Sequence, residues 1–191
     1  MAKRRPPRPS LSTLPAHRST FLAGERVTLR PLGPEDVGML SVRHNHPETR
    51  FALFEWEPKG DGALSEQIQV WERDPHTLLL AICERRTGRC VGLTGLVRID
   101  WVSRAAVFFL AIAHPDDWSK GFGGEATRLM CEHAFATMNL QRIQLHVWAK
   151  NERGIRAYER AGFEREGVLR RAMYHGGVYE DFWVMAKLRP M

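Results

Sequence analysis

Val27 and Leu29 alternate with Arg26, Thr28 and Arg30, the period-two pattern of a strand with one buried face, and Pro31 closes it. Pro34 suits the first turn of a helix, where its missing N–H costs nothing, and predicts a helix over 34–43. The following stretch, HNHPETRFALFEWEPKGDG, has no clear period and reads as a long binding loop. Leu64, Ile68 and Trp71 recur at helical spacing and predict a helix over 63–73. Strands are expected over 77–84, 90–99 and 104–113. Glycines then give way to a helix carrying Ala126, Leu129, Met130, Ala134 and Met138 on its apolar side. In RIQLHVW, Ile143, Leu145 and Val147 share one strand face. Asn151 is placed to cap a helix to about Arg160, ended by the glycine of AGF. Two last strands flank HGGV, where the glycine pair suits a hairpin with positive φ.

At 191 residues and 43% hydrophobic content, the chain can bury one core of ordinary size, not two. Residues 1–23 hold four prolines and little periodic hydrophobicity, so a solvated tail is expected there and a single domain over 24–191. The net charge of +6 is concentrated in that tail: Lys3, Arg4, Arg5, Arg8 and Arg18 precede the first acid, Glu25. The remainder carries only +1, so nucleic acid is not an expected partner. Three cysteines without a CxxC pair do not form a disulfide framework and point to a reducing compartment. No run of about 18 apolar residues occurs, and the basic N-terminus leads into Pro and Ser rather than an apolar segment. A soluble cytoplasmic protein without membrane partners is expected.

The strongest chemical signal is the run Ser119, Lys120, Gly121, Phe122, Gly123, Gly124 between a strand and a helix. Glycines let successive N–H groups converge, and the helix N-terminus adds partial positive charge, which makes an anion cradle. The fingerprint G-x-G-x-x-A also fits Gly121, Gly123 and Ala126, but a dinucleotide fold needs an acid near the end of the next strand. No acid occurs between Glu132 and Glu152. A Walker loop fails as well, because no Gly-Lys-Ser or Gly-Lys-Thr is present here.

The run WSKGFGGEATRLMCEHAF, followed by NLQRIQLHVWAKNERGIRAYERAGFEREGVLRRAMYHGGVYEDFWVMAKL, resembles the coenzyme-A-binding half of the GCN5-related N-acetyltransferases (GNAT). Within that superfamily it is similar to the branch of ribosomal-protein-alanine and spermidine N-acetyltransferases. The resemblance spans residues 25–188, is dense over 116–181 and weakens over 44–62. It implies an α/β fold, with a central mixed, largely antiparallel sheet of about seven strands flanked by helices. It also implies that two neighbouring parallel strands, 104–113 and 142–148, splay apart to admit a pantetheine arm.

By the same resemblance acetyl-CoA is the co-substrate, and its pyrophosphate falls on the loop Ser119, Lys120, Gly121, Phe122, Gly123 and Gly124. Trp118 stands where the family often has Gln or Arg. Asn151 matches a residue that contacts the cofactor arm, and Tyr158 matches a tyrosine near the coenzyme sulfur. A thiolate leaving group of pKa about 8.5 can be protonated by a phenol of pKa about 10, so Tyr158 is the expected general acid. Ile155, Tyr158 and Ala161 also form a helical stripe that could merely pack. Backbone N–H groups near Ile112, Ala113 and His114 are expected to face the oxyanion.

The base is less legible. Many relatives carry a carboxylate on the strand that here reads RAAVFFLAIA, and no acid lies there. Glu55, Glu57 or Asp100 acting through water, or His146, are the alternatives. The acids Glu48, Glu55, Glu57 and Asp61 could draw in a cationic amine, with Glu55 and Glu57 as the expected substrate contacts. The acceptor stays open among a polyamine or other small amine, a protein N-terminal amine and an aminoglycoside. Succinyl-CoA would use the same cradle, and a non-catalytic acyl-CoA-binding module is the reading of a different class. No metal is expected, since the histidines lack zinc-ligand spacing. A homodimer is carried as an expectation because dimers are common in the family.

Overall fold

The computed structural model describes residues 19–190. In chain order the elements are β1 (Leu22–Ala23), β2 (Val27–Pro31), a 3-10 turn (Pro34–Asp36), α1 (Val37–Asn45), α2 (Pro47–Ala52), α3 (Asp61–Arg73), β3 (Leu78–Glu84), β4 (Cys90–Asp100) and β5 (Ala105–Ile112). A second 3-10 turn (Pro115–Asp117) leads into α4 (Phe122–Ala136), β6 (Arg142–Trp148), α5 (Glu152–Arg160), β7 (Glu164–His175) and β8 (Val178–Leu188).

The strands form one sheet in the order β1-β2-β3-β4-β5-β6-β8-β7. Every neighbouring pair is antiparallel except β5 and β6. That parallel ladder is short: Ala105 faces Arg142, Ala106 faces Ile143, Val107 faces Gln144, and the pairing stops there. β6 meanwhile pairs with β8 along its whole length, from Arg142 to Trp148. The two central strands therefore diverge toward the C-terminal end of β5, as the family resemblance implies.

α4 and α5 cover one face of the sheet. Ala126, Met130, Ala134 and Ile155 pack there against Leu29, Ile82, Phe108, Ile143, Leu145 and Met185. α1 and α3 cover the other face, where Leu40, Leu64 and Ile68 meet Leu93 and Ala111. Burial on both sides explains why β5 reads AAVFFLAI without alternation. Among the described residues no helix is long and apolar enough to cross a membrane.

Among the described residues the sheet has eight strands rather than about seven. The extra one arises because the chain before Glu25 folds back on β2, pairing Leu22 with Leu29, while Phe21 donates its N–H to the Leu29 carbonyl at 2.8 Å. Of the expected tail over 1–23, residues 1–18 lie outside the described residues. The expected first helix begins as the 3-10 turn and continues to Asn45. The apparently irregular loop contains α2, whose six residues, opened by Pro47, are too few to show a helical period.

Candidate active site

The divergence of β5 from β6 opens a cleft of about 690 Å³, walled by β5, the start of α4, α5 and the α2 segment. Ile112, Ser119, Gly121, Phe122, Gly123, Gly124, Asn151 and Tyr158 all line it. Residues expected from separate motifs are thereby brought to one cavity. The volume lies in the range of cofactor and ligand sites.

The loop between β5 and α4 takes its shape from two left-handed residues, Ser119 at φ +62° and Gly121 at φ +85°. Gly121 caps α4, so the first N–H groups of that 15-residue helix have no intrahelical partner and border the cleft. Gly123 allows close packing, since a Cβ there would lie 3.3 Å from a Leu110 methyl, while Gly124 has open space beside it. Asp117 is the one carboxylate among the described residues lining the cleft, and its charge is answered. Arg89 donates two hydrogen bonds of 2.7 Å to it, and Lys120 approaches at 3.0 Å. The Arg89 guanidinium, with Lys120 beside it, outweighs the effect of burial and holds the Asp117 carboxyl down at about 2. Arg128, Arg153, Arg160 and Lys187 add further positive charge to the walls. Such a lining suits a polyanion, and the glycine loop with the α4 N-terminus fits a diphosphate.

α5 begins at Asn151, whose Oδ1 accepts the N–H of Gly154 at 2.9 Å. Seven residues on, about two turns along the same helix face, Tyr158 also lines the cleft. Its ring meets Phe108 and Phe163 edge to face at 6.2 and 5.9 Å. Burial pushes its phenol up to about 12, so it stays protonated at neutral pH. Among the described residues its hydroxyl makes no hydrogen bond. Packing and an open functional group coexist at this position.

At the end of β5, Ala113 donates its N–H to the Val91 carbonyl at 2.9 Å, and its own carbonyl accepts the Thr49 hydroxyl at 2.7 Å. By antiparallel alternation along the β4–β5 register, Leu110 and Ile112 turn their N–H groups toward β6 and the cleft. Ile112 is thus the N–H donor of the three expected residues that faces the opening. His114 lies beyond the strand, its ring 4.9 Å from that of His46. Lys120, Ala113 and His114 do not line the cavity.

The expected acidic contacts lie elsewhere. Glu55 is held by buried Arg43 at 2.8 Å and lies 3.4 Å from His44, and Glu57 is exposed. Asp100 accepts the N–H groups of Val102 and Ser103 in the turn before β5, at the far end of the strand from Ile112. His146 is exposed on β6. None of the four lines the cleft. Conversely, Thr49, Ala52 and Leu53 line it from the stretch expected as a binding loop, although none of the three was singled out, and Arg128, Arg153, Arg160 and Lys187 line it without having been anticipated. Arg153 was within reach of sequence reading, because it stands two residues after the helix cap Asn151.

Residues 26–164 match the family model described as the acetyltransferase (GNAT) domain. A Bacillus subtilis (strain 168) protein named as a probable N-acetyltransferase, YjcK, is 36% identical over 182 residues, which is 89% of this chain and 98% of that protein. The spermidine N(1)-acetyltransferase of Escherichia coli (strain K12) is 31% identical over 160 residues, covering 81% of this chain and 82% of the relative. Among solved structures, the spermidine N-acetyltransferase from Vibrio cholerae in complex with CoA and spermine superposes with a TM-score of 0.80. It is 26% identical over 87% of this chain and 97% of that one.

Proposed function

Because this chain belongs to the GNAT family of acetyltransferases, we propose that it carries an acetyl group from acetyl-CoA to a primary amine, with polyamines as the acceptor class. The single observation that supports this reading most is the common cleft. The glycine loop, Asn151 and Tyr158 border one opening between two diverging strands. Such an opening admits an extended thioester from one side and an amine from the other. The polyamine choice is supported by the relatives that are spermidine N-acetyltransferases and by the solved one that holds spermine.

The amine must reach the carbonyl unprotonated, since an alkylammonium of pKa about 10.4 has no lone pair to give. Attack forms the C–N bond, and the oxyanion faces the N–H of Ile112. Collapse breaks the C–S bond, and the Tyr158 hydroxyl gives its proton to the departing sulfur. Bulk water takes the proton from the amine, consistent with the absence of a carboxylate other than the ion-paired Asp117 among the described residues lining the cleft.

The test is incubation of the purified protein with acetyl-CoA and spermidine, spermine, N-terminal Ala or Ser peptides and an aminoglycoside, following thiol release and product mass. Turnover is expected to be fastest with the polyamines. Tight acetyl-CoA binding without turnover on any amine would favour a non-catalytic module instead.

A further inference from the structure

Trp118 and Arg153 stand 35 residues apart in sequence and meet at the cleft. The indole N–H of Trp118 donates to the Ile112 carbonyl at 3.2 Å, which ties the ring to the end of β5. Its face carries the Arg153 guanidinium, whose carbon lies 4.2 Å from the ring centroid. Trp118 comes from the segment before the glycine loop and Arg153 from the first turn of α5, and both line the cavity. The contact therefore bridges two walls of the site.

The other cations in the lining are engaged. Arg128 pairs with Glu132 at 2.8 Å, Lys187 donates to the Ala161 carbonyl at 2.6 Å, and Arg160 donates to the Arg156 carbonyl at 3.0 Å. Arg153 makes no hydrogen bond or ion pair among the described residues. A guanidinium stacked on an indole keeps its in-plane N–H donors free, and its rotamers are already restricted by the ring. Those donors match the paired oxygens of a phosphate. The residue just before the glycine loop is an indole, so the stack delivers from α5 a cation that position 118 does not itself carry.

We propose that Arg153, oriented by Trp118, is a phosphate-binding residue of this site and grips a phosphate of the coenzyme from the first turn of α5, beside the glycine loop. The assignment rests on the acyl-CoA reading above. Trp118 acts as a positioning residue: it does not bind phosphate but fixes the group that does. The shared chemistry is a phosphate oxyanion, supplied either by the diphosphate or by the 3′-phosphate of the coenzyme.

The experiment is calorimetric binding of CoA and of dephospho-CoA to the wild type, Arg153→Gln, Trp118→Leu, Trp118→Phe and the double variant Arg153→Gln/Trp118→Leu. Melting curves accompany each to establish that it is folded. Arg153→Gln is expected to weaken CoA binding about 10- to 100-fold. The KM for acetyl-CoA should rise with kcat at saturation unchanged. If the 3′-phosphate is the partner, the loss disappears with dephospho-CoA; if it is the diphosphate, both ligands lose equally. Trp118→Leu should reproduce much of the loss, Trp118→Phe, which keeps a ring face but loses the N–H to Ile112, should fall between wild type and Trp118→Leu, and the double variant should be little worse than Arg153→Gln alone. CoA binding within twofold of wild type in folded Arg153→Gln overturns the assignment, and strictly additive losses overturn the role of Trp118. Failure of the wild type to bind CoA at all overturns the acyl-CoA reading and this assignment with it.

Discussion

The backbone N–H of Phe163 reaches the carbonyl of Tyr158 at 3.0 Å, and the two rings meet edge to face at 5.9 Å. With the Gly162 N–H on the Glu159 carbonyl at 3.0 Å, this is a Schellman ending: a 6→1 bond, a 5→2 bond and the apolar contact that accompanies them. The end of α5 thus fixes the expected general acid. Gly162 makes it possible, at φ +86°, and a Cβ there would also lie 3.3 Å from Lys187 Cε. Gly162→Ala is expected to cost about 1–2 kcal/mol, read as a lower Tm, and to reduce kcat more than it changes CoA affinity.

Tyr158→Phe removes a hydroxyl that has no hydrogen-bond partner among the described residues, so folding should be nearly unaffected. As the general acid it should account for about 10²- to 10⁴-fold in kcat, with CoA affinity retained. The pH profile gives a second reading. The phenol, pushed up to about 12, remains a proton donor until pH rises through that value. In the wild type kcat should therefore climb with amine deprotonation and show no fall below about pH 10. A kcat in Tyr158→Phe within threefold of wild type would remove the acid role.

Asp117 contributes to stability through its bonds to Arg89 and Lys120. Its folded carboxyl titrates at about 2 against an ordinary value of 3.8, so that contribution is complete above about pH 4 and is lost as pH falls through 2. Asp117→Asn should lower stability by about 1–2 kcal/mol at pH 7, allowing for the half-exposed Arg89. The difference from wild type should close in denaturant melts between pH 4 and 2.

Glu125, in the first turn of α4, accepts the backbone N–H groups of Glu25 and Arg26 at 2.7 Å and of Val27 at 2.8 Å. Burial works against its charge, but the three N–H donors prevail and hold its carboxyl below the usual range. Glu125→Leu strands the donor of buried Val27, while water can take those of exposed Glu25 and Arg26, and should cost about 1–3 kcal/mol. Hydrogen exchange at Val27 should quicken more than at Leu145 in the sheet centre. Equal quickening at both would mean that the carboxylate does not specifically anchor β2.

What the amino-acid sequence determines by itself is local. The alternation of Ile143, Leu145 and Val147, the cap at Asn151, the stop at Gly162 and the hairpin at Gly176 and Gly177 depend on neighbours within about four residues, so their signals stand in the chain. The glycine loop is legible for the same reason, because positive φ at Gly121 is a property of one residue. Tertiary packing decides the rest. Nothing in AAVFFLAI says that β5 leaves β6 after Val107, because a strand buried on both faces reads the same whether or not its neighbour stays paired. The grip of Glu125 on Val27 and the stack of Arg153 on Trp118 join residues 98 and 35 positions apart. No periodicity encodes such contacts, and they arise only when the sheet brings separate elements together. The same holds for Glu55: its charge is plain in the sequence, but the fold turns it onto Arg43 and away from the cleft.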